Sequence, residues 1–118
     1  MKNSVELLGI AACLTGGLMA NAANAQEQND RSLLALYHAC QTQAEEPASF
    51  CKGYLSGAAD TLTAFGAGGH KAGLCAPSYN PAELQRIFMA WVPEHQEFWE
   101  LDMFAGVWAA FKEQWPCC

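Results

Sequence analysis

The chain has 118 residues and a formal charge of −6, which is enough for one domain and too little for two. A net acidic surface argues against nucleic acid and against an anionic membrane surface as partners. It is compatible with a basic protein partner, and equally with plain solubility.

The N-terminus reads as an export signal over residues 1–25. Lys2 gives a small positive start, Leu7–Ala20 is apolar, and Ala23-Asn24-Ala25 is an A-x-A cleavage site. A rival reading takes Ile10-Ala11-Ala12-Cys13 as a lipoprotein processing box. As a membrane anchor Leu7–Ala20 is too short, because a span needs ~20 apolar residues. The mature domain is then residues 26–118. Cleavage removes one Lys and one Glu, Lys2 and Glu6, so the charge is unchanged.

The first helix is predicted from about Arg31 to Gln41, with Asn29 or Asp30 as cap and Leu33, Leu36, Tyr37 and Cys40 on one face. Gln43–Ser49, with Pro47, reads as a polar connection. The second helix is predicted over Phe50–Phe65, capped by Ser49 and stopped at Gly66. Cys51, Tyr54, Leu55, Ala58, Leu62 and Phe65 share its inward face. Gly53 and Gly57 lie one turn apart and predict close approach by another helix.

Gly66–Tyr79 is irregular and glycine-rich, and reads as a mobile loop with His70 and Lys71 near its middle. The third helix has the clearest start: Asn80 as cap, Pro81 as first residue, Glu83 completing a capping-box pattern. Leu84, Ile87, Phe88 and Trp91 form its apolar face, and Pro93 ends or kinks it. The fourth helix is predicted from about Glu97 to Gln114, with Leu101, Phe104, Ala105, Trp108, Phe111 and Trp115 as its stripe. No alternating strand pattern appears. The expected fold is a small all-α, four-helix bundle.

Five cysteines follow the signal: Cys40, Cys51, Cys75, Cys117 and Cys118. In an oxidising compartment they predict two bridges and one leftover thiol. If the first two helices form an antiparallel hairpin, Cys40 meets Cys51. If the last two do the same, Cys75 meets Cys117. The alternative joins Cys40 to Cys75 and Cys51 to Cys117. Cys118 reads as part of a frayed terminus, with cross-linking of a dimer or exchange with Cys117 as the other possibilities.

Little points to catalysis. The chain has no C-x-x-C, no H-E-x-x-H and no acidic calcium loop. His38, His70 and His95 are scattered, and Asp60 has no second carboxylate placed to work with it. No metal, cofactor or enzymatic activity is expected. Phe98 and Trp99 are adjacent, so one of them faces away from the main stripe. Two placements are open: an exposed pair suited to a protein interface, or packing on the helix junction.

Several of these residues also carry a resemblance. Cys51-Lys52-Gly53-Tyr54-Leu55-Ser56-Gly57-Ala58-Ala59-Asp60 resembles the C-x-G-Y-(I/L)-x-G-(hydrophobic/small)-x-D signature of the Rap/Tai immunity proteins. Cys75-Ala76-Pro77, the junction Trp91-Val92-Pro93-Glu94-His95 and the close Ala109-Ala110-Phe111 with Trp115-Pro116-Cys117 follow in that family's order. Ala76, the long glycine-rich loop and Cys118 depart from the pattern. The resemblance implies a periplasmic, all-helical protein that blocks a peptidoglycan amidase effector of type VI secretion, often as a homodimer. A loop tip can enter a concave site that a helix face cannot. The expected effector-binding residues are therefore Gly68, Gly69, His70 and Lys71, with Phe98 and Trp99 as the second group. The competing expectation is a periplasmic stress chaperone or another non-enzymatic envelope binding protein.

Overall fold

The computed structural model describes residues 30–117. The expected signal, its cleavage site, Cys13 and Cys118 lie outside the described residues. Four α-helices make up most of the rest: α1 Leu33–Gln41, α2 Glu45–Ala67, α3 Pro81–Trp91 and α4 Met103–Gln114. Two short 3-10 turns, Val92–Glu94 and Gln96–Phe98, lead from α3 towards α4. No strand occurs among the described residues; an isolated antiparallel bridge joins Ser32 to Asp102. The protein is an all-α bundle.

Each helix start has a local cause. Ser32, rather than Asp30, caps α1 by accepting from Ala35 N–H; Asn29, the other expected cap, lies outside the described residues. Asn80 accepts from Glu83 N–H as expected, with Pro81 at the first position. The Glu83 carboxylate goes to Arg86 at 2.6 Å. That hydrogen bond holds the Glu83 pKa below its ordinary value.

α2 begins five residues before the expected start and absorbs the stretch read as a connection. Pro47 does not break it, because a first-turn N–H has no acceptor within the helix. Glu45 and Glu46 favour the positive end of the helix dipole. Ser49 is thus an exposed residue inside the helix and caps nothing. At the other end α2 passes Gly66 and runs to Ala67. Gly69, with φ of 89°, is the left-handed residue.

The core draws on all four helices. Leu33 and Leu36 of α1, Leu55 and Leu62 of α2, Phe88 of α3 and Phe111 of α4 are all essentially inaccessible. No charged or polar residue is buried among the described residues. The four positions expected on the inner face of α3 are all buried.

The predicted stripe of α4 needs correction. Its buried residues are Met103, Gly106, Val107, Ala110 and Phe111, while Leu101, Phe104 and Trp108 are exposed. The cause is not local to α4. Leu33 N–H donates to Leu101 O at 2.9 Å and Met103 N–H to Arg31 O at 2.6 Å, which fixes where the helix starts. α1 then crosses α4 at Gly106, where a Cβ would fall 2.3 Å from Leu33 Cδ2. The close helix approach therefore uses Gly106. Gly53 and Gly57 do not serve it: nothing lies within 4 Å of a Cβ at either.

Both expected disulfides are present, Cys40–Cys51 across the α1–α2 turn and Cys75–Cys117 between the long loop and the end of α4. The antiparallel α1–α2 hairpin behind the first pairing is the one observed.

Candidate functional site

Residues 68–80 connect α2 to α3, and their backbone is tied back to α2 and to itself by hydrogen bonds. Gly68 N–H closes on Ala64 O, His70 N–H on Phe65 O at 3.0 Å, Gly73 N–H on His70 O at 3.0 Å and Leu74 N–H on Leu62 O at 2.9 Å. Gly66 and Gly73 lie face to face in this turn. A Cβ on Gly66 would sit 1.8 Å from Leu74 O, and one on Gly73 2.1 Å from Gly66 N. Gly66 and Gly73 thus serve close backbone packing, a use of glycine the sequence reading did not foresee. Ala76 adopts φ of 52°, a left-handed conformation that alanine rarely takes.

The side chains of α4 complete the anchoring. Trp108 Nε1 donates to Ala72 O at 2.8 Å. Lys112 Nζ donates to Lys71 O at 2.5 Å and to Gly73 O at 2.9 Å. Three consecutive loop carbonyls thus end on two side chains one helical turn apart. Further along, Tyr79 Oη donates to Asp60 Oδ1 at 2.6 Å. Burial, then that hydrogen bond, raises the Tyr79 pKa above its ordinary value. Asp60 is accounted for as a structural acceptor.

The tip, Gly68 to Lys71, is exposed, and the His70 ring rests 5.7 Å from that of Phe65. Beside it lies an apolar groove of about 210 Å³, walled by Leu62, Phe65, Ala72, Phe104, Ala105 and Trp108. Phe104 is also a wall of a second groove of about 350 Å³, over Gly53, Tyr54, Gly57, Ala58 and Thr61. Phe50 extends the same helix, exposed, with its ring 5.8 Å from that of Tyr54. One face of α2 and α4 therefore presents a run of rings to solvent, continuous with the loop tip.

Phe98 and Trp99 take the second of their two open placements. Both are half-buried at the α3–α4 junction. Phe98 meets Trp91 edge-on at 5.0 Å, and Trp99 Nε1 donates to Val92 O at 2.9 Å. The structure separates them from the loop group by exposure: the tip residues are exposed and these rings are half-buried. His95 stacks on Trp91 at 3.7 Å, and its Nδ1 lies 2.8 Å from Trp91 O. With a carbonyl opposite, Nδ1 carries the proton. His38 is exposed on α1.

Phe104 and Trp108 were placed in the core by sequence reasoning and belong to the exposed face. A signal existed: α4 carries two apolar stripes, and only the one with Gly106 and Ala110 permits close packing. No group of three potential metal ligands occurs among the described residues. No described helix is long and apolar enough to cross a membrane.

Comparison with protein families gives a match to the model of the Rap1a immunity proteins over residues 32–117. That span contains all four helices and both disulfides. Comparisons with curated proteins and with solved structures give no significant match.

Proposed function

This chain belongs to the Rap1a immunity protein family, and from that premise we propose that it binds and blocks a peptidoglycan amidase delivered by type VI secretion. It does so in the periplasm, after cleavage of an N-terminal signal over residues 1–25. The two disulfides favour an oxidising compartment. The observation that carries the blocking mode is the loop tip Gly68–Lys71, exposed, anchored at its base and flanked by the groove of Phe65, Phe104 and Trp108.

The tip enters the cleft and the rings seal around it. Aromatic side chains at the centre of an interface carry a large share of its energy. Lys71, with His70 beside it, presents a cation on a chain of charge −6. That pattern suits a partner cleft of negative potential. Phe98 and Trp99 offer only their outer edges and form a secondary contact. Catalysis has no part in this mode: occupancy of the partner suffices.

The test is inhibition of the amidase by the wild type and by His70→Ala/Lys71→Ala. The double variant should weaken inhibition by at least about tenfold, the loss of one good contact cluster. Unchanged inhibition would remove the tip from the mechanism.

The exposed rings also favour a second reading, a stress chaperone. A chaperone would bind many unfolded clients weakly on acidification; an immunity protein binds one folded partner tightly at neutral pH. We further propose a homodimer, which sedimentation velocity would report as twice the chain mass.

A further inference from the structure

We propose that Trp108 and Lys112 are positioning residues that hold the 70–74 segment in its presented conformation before any partner arrives. They act as a clamp on the loop and not as contacts of the core. This rests on the reading above for its functional consequence, and on geometry alone for the clamp itself.

The geometry is specific. Lys71, Ala72 and Gly73 each turn a carbonyl towards α4, and each carbonyl meets an N–H of Trp108 or Lys112 at 2.5–2.9 Å. Both donors reach across from a different helix, so the contacts do not arise from the loop's own sequence. Lys112 is half-exposed and Trp108 exposed, so neither contributes much to the buried interior. The ammonium supplies up to three donors, and two of them are spent here. Without it, the carbonyl of exposed Lys71 reverts to water and that of buried Gly73 loses its ammonium donor, and nothing on α4 replaces the charge: Lys112 is the one cation of that helix. Gly68, Gly69 and Gly73 lie in and just before the segment, and an untied chain of that composition samples many conformations. Binding to a form present only a fraction of the time is weakened by that fraction. A clamped loop avoids that loss, and ordering it in advance improves affinity without any added contact.

Amide exchange on the free protein reads the clamp directly. Lys112→Met keeps the length of the stem and removes the donors. It should speed exchange of the His70, Gly73 and Leu74 amides by about tenfold or more, since local opening sets their protection. The amides of α1 and α3 should be unchanged. Lys112→Arg, which retains several donors, should restore protection. Trp108→Phe, which keeps the ring and loses the N–H, should give a smaller change in the same amides. Unaltered loop exchange in Lys112→Met overturns the proposal, and so does equal acceleration in every helix, which would mark a general stability role.

The functional consequence is read separately, as the inhibition constant against the same amidase. Weaker inhibition by Lys112→Met, rescued by Lys112→Arg, supports the positioning role. A loosened loop with unchanged inhibition overturns it. If the wild type fails to inhibit the amidase, the functional reading falls, while the exchange measurement still decides the clamp.

Discussion

Tyr79 shows how a single polar group fastens the exit of the long loop. Its hydroxyl proton goes to Asp60, and Thr63 Oγ1 lies 3.3 Å away with its own proton committed to Ala59 O. The ring also packs 5.7 Å from Trp115. Tyr79→Phe keeps the packing and loses the hydrogen bond, and should cost about 1 kcal/mol in a urea titration. The sign of the pH dependence follows from the raised pKa, caused first by burial and then by the Asp60 hydrogen bond. The folded state holds the phenolic proton more tightly than the unfolded chain. The associated stability is complete below the ordinary value of 10.0 and is lost as pH rises through the folded value. Tyr54 is shifted the same way, chiefly by burial. Tyr79→Phe should therefore make the alkaline fall in stability shallower without abolishing it.

At the scale of the elements, the two kinds of helical glycine separate cleanly. Gly57 faces open space on α2, and Gly106 faces Leu33 across the α1–α4 crossing. Gly57→Ala should stabilise by about 0.4–1 kcal/mol, through the smaller entropy of the unfolded chain. Gly106→Ala gains a similar amount of helix propensity but forces a Cβ into the end of a Leu33 side chain that is itself wholly buried. Overpacking of that kind costs about 1–3 kcal/mol, so the net change should be a loss. Thermal melts of the two variants should move in opposite directions. If both rise, α1 is free to shift and the crossing is not tightly packed.

For the molecule as a whole, the two disulfides close loops of very different length, with sequence separations of 11 and 42. In the chain-entropy model the shorter contributes about 3 kcal/mol and the longer about 4 kcal/mol. The longer one also ties the loop segment to the end of α4, where Cys75 N–H meets Trp115 O at 3.4 Å. Cys75→Ser/Cys117→Ser should therefore lower the denaturation midpoint more than Cys40→Ser/Cys51→Ser. The first pair should also raise amide exchange near Leu74; the second should leave it unchanged. A larger loss from the second pair would place the weakest point of the unfolded ensemble in the α1–α2 hairpin.

The sequence alone determined the helical class, the inner face of α3 and its Asn80–Pro81 start; it favoured the two cysteine pairs on an assumed hairpin topology, and the structure chose them over the alternative pairing. These rest on short-range rules: side-chain period, caps and the proximity of hairpin ends. It missed the true start of α2, because Pro47 reads as a breaker unless the first turn is already known to be there. It placed Leu101, Phe104 and Trp108 inward with Phe111, of which only Phe111 is buried, because both stripes of α4 are apolar and the crossing of α1 at Gly106 selects the one with small residues. Tertiary structure also decided that the glycine-rich loop is anchored. The donors that hold it, Trp108 and Lys112, stand more than thirty residues away in the chain, and no local pattern announces a contact between residues so far apart.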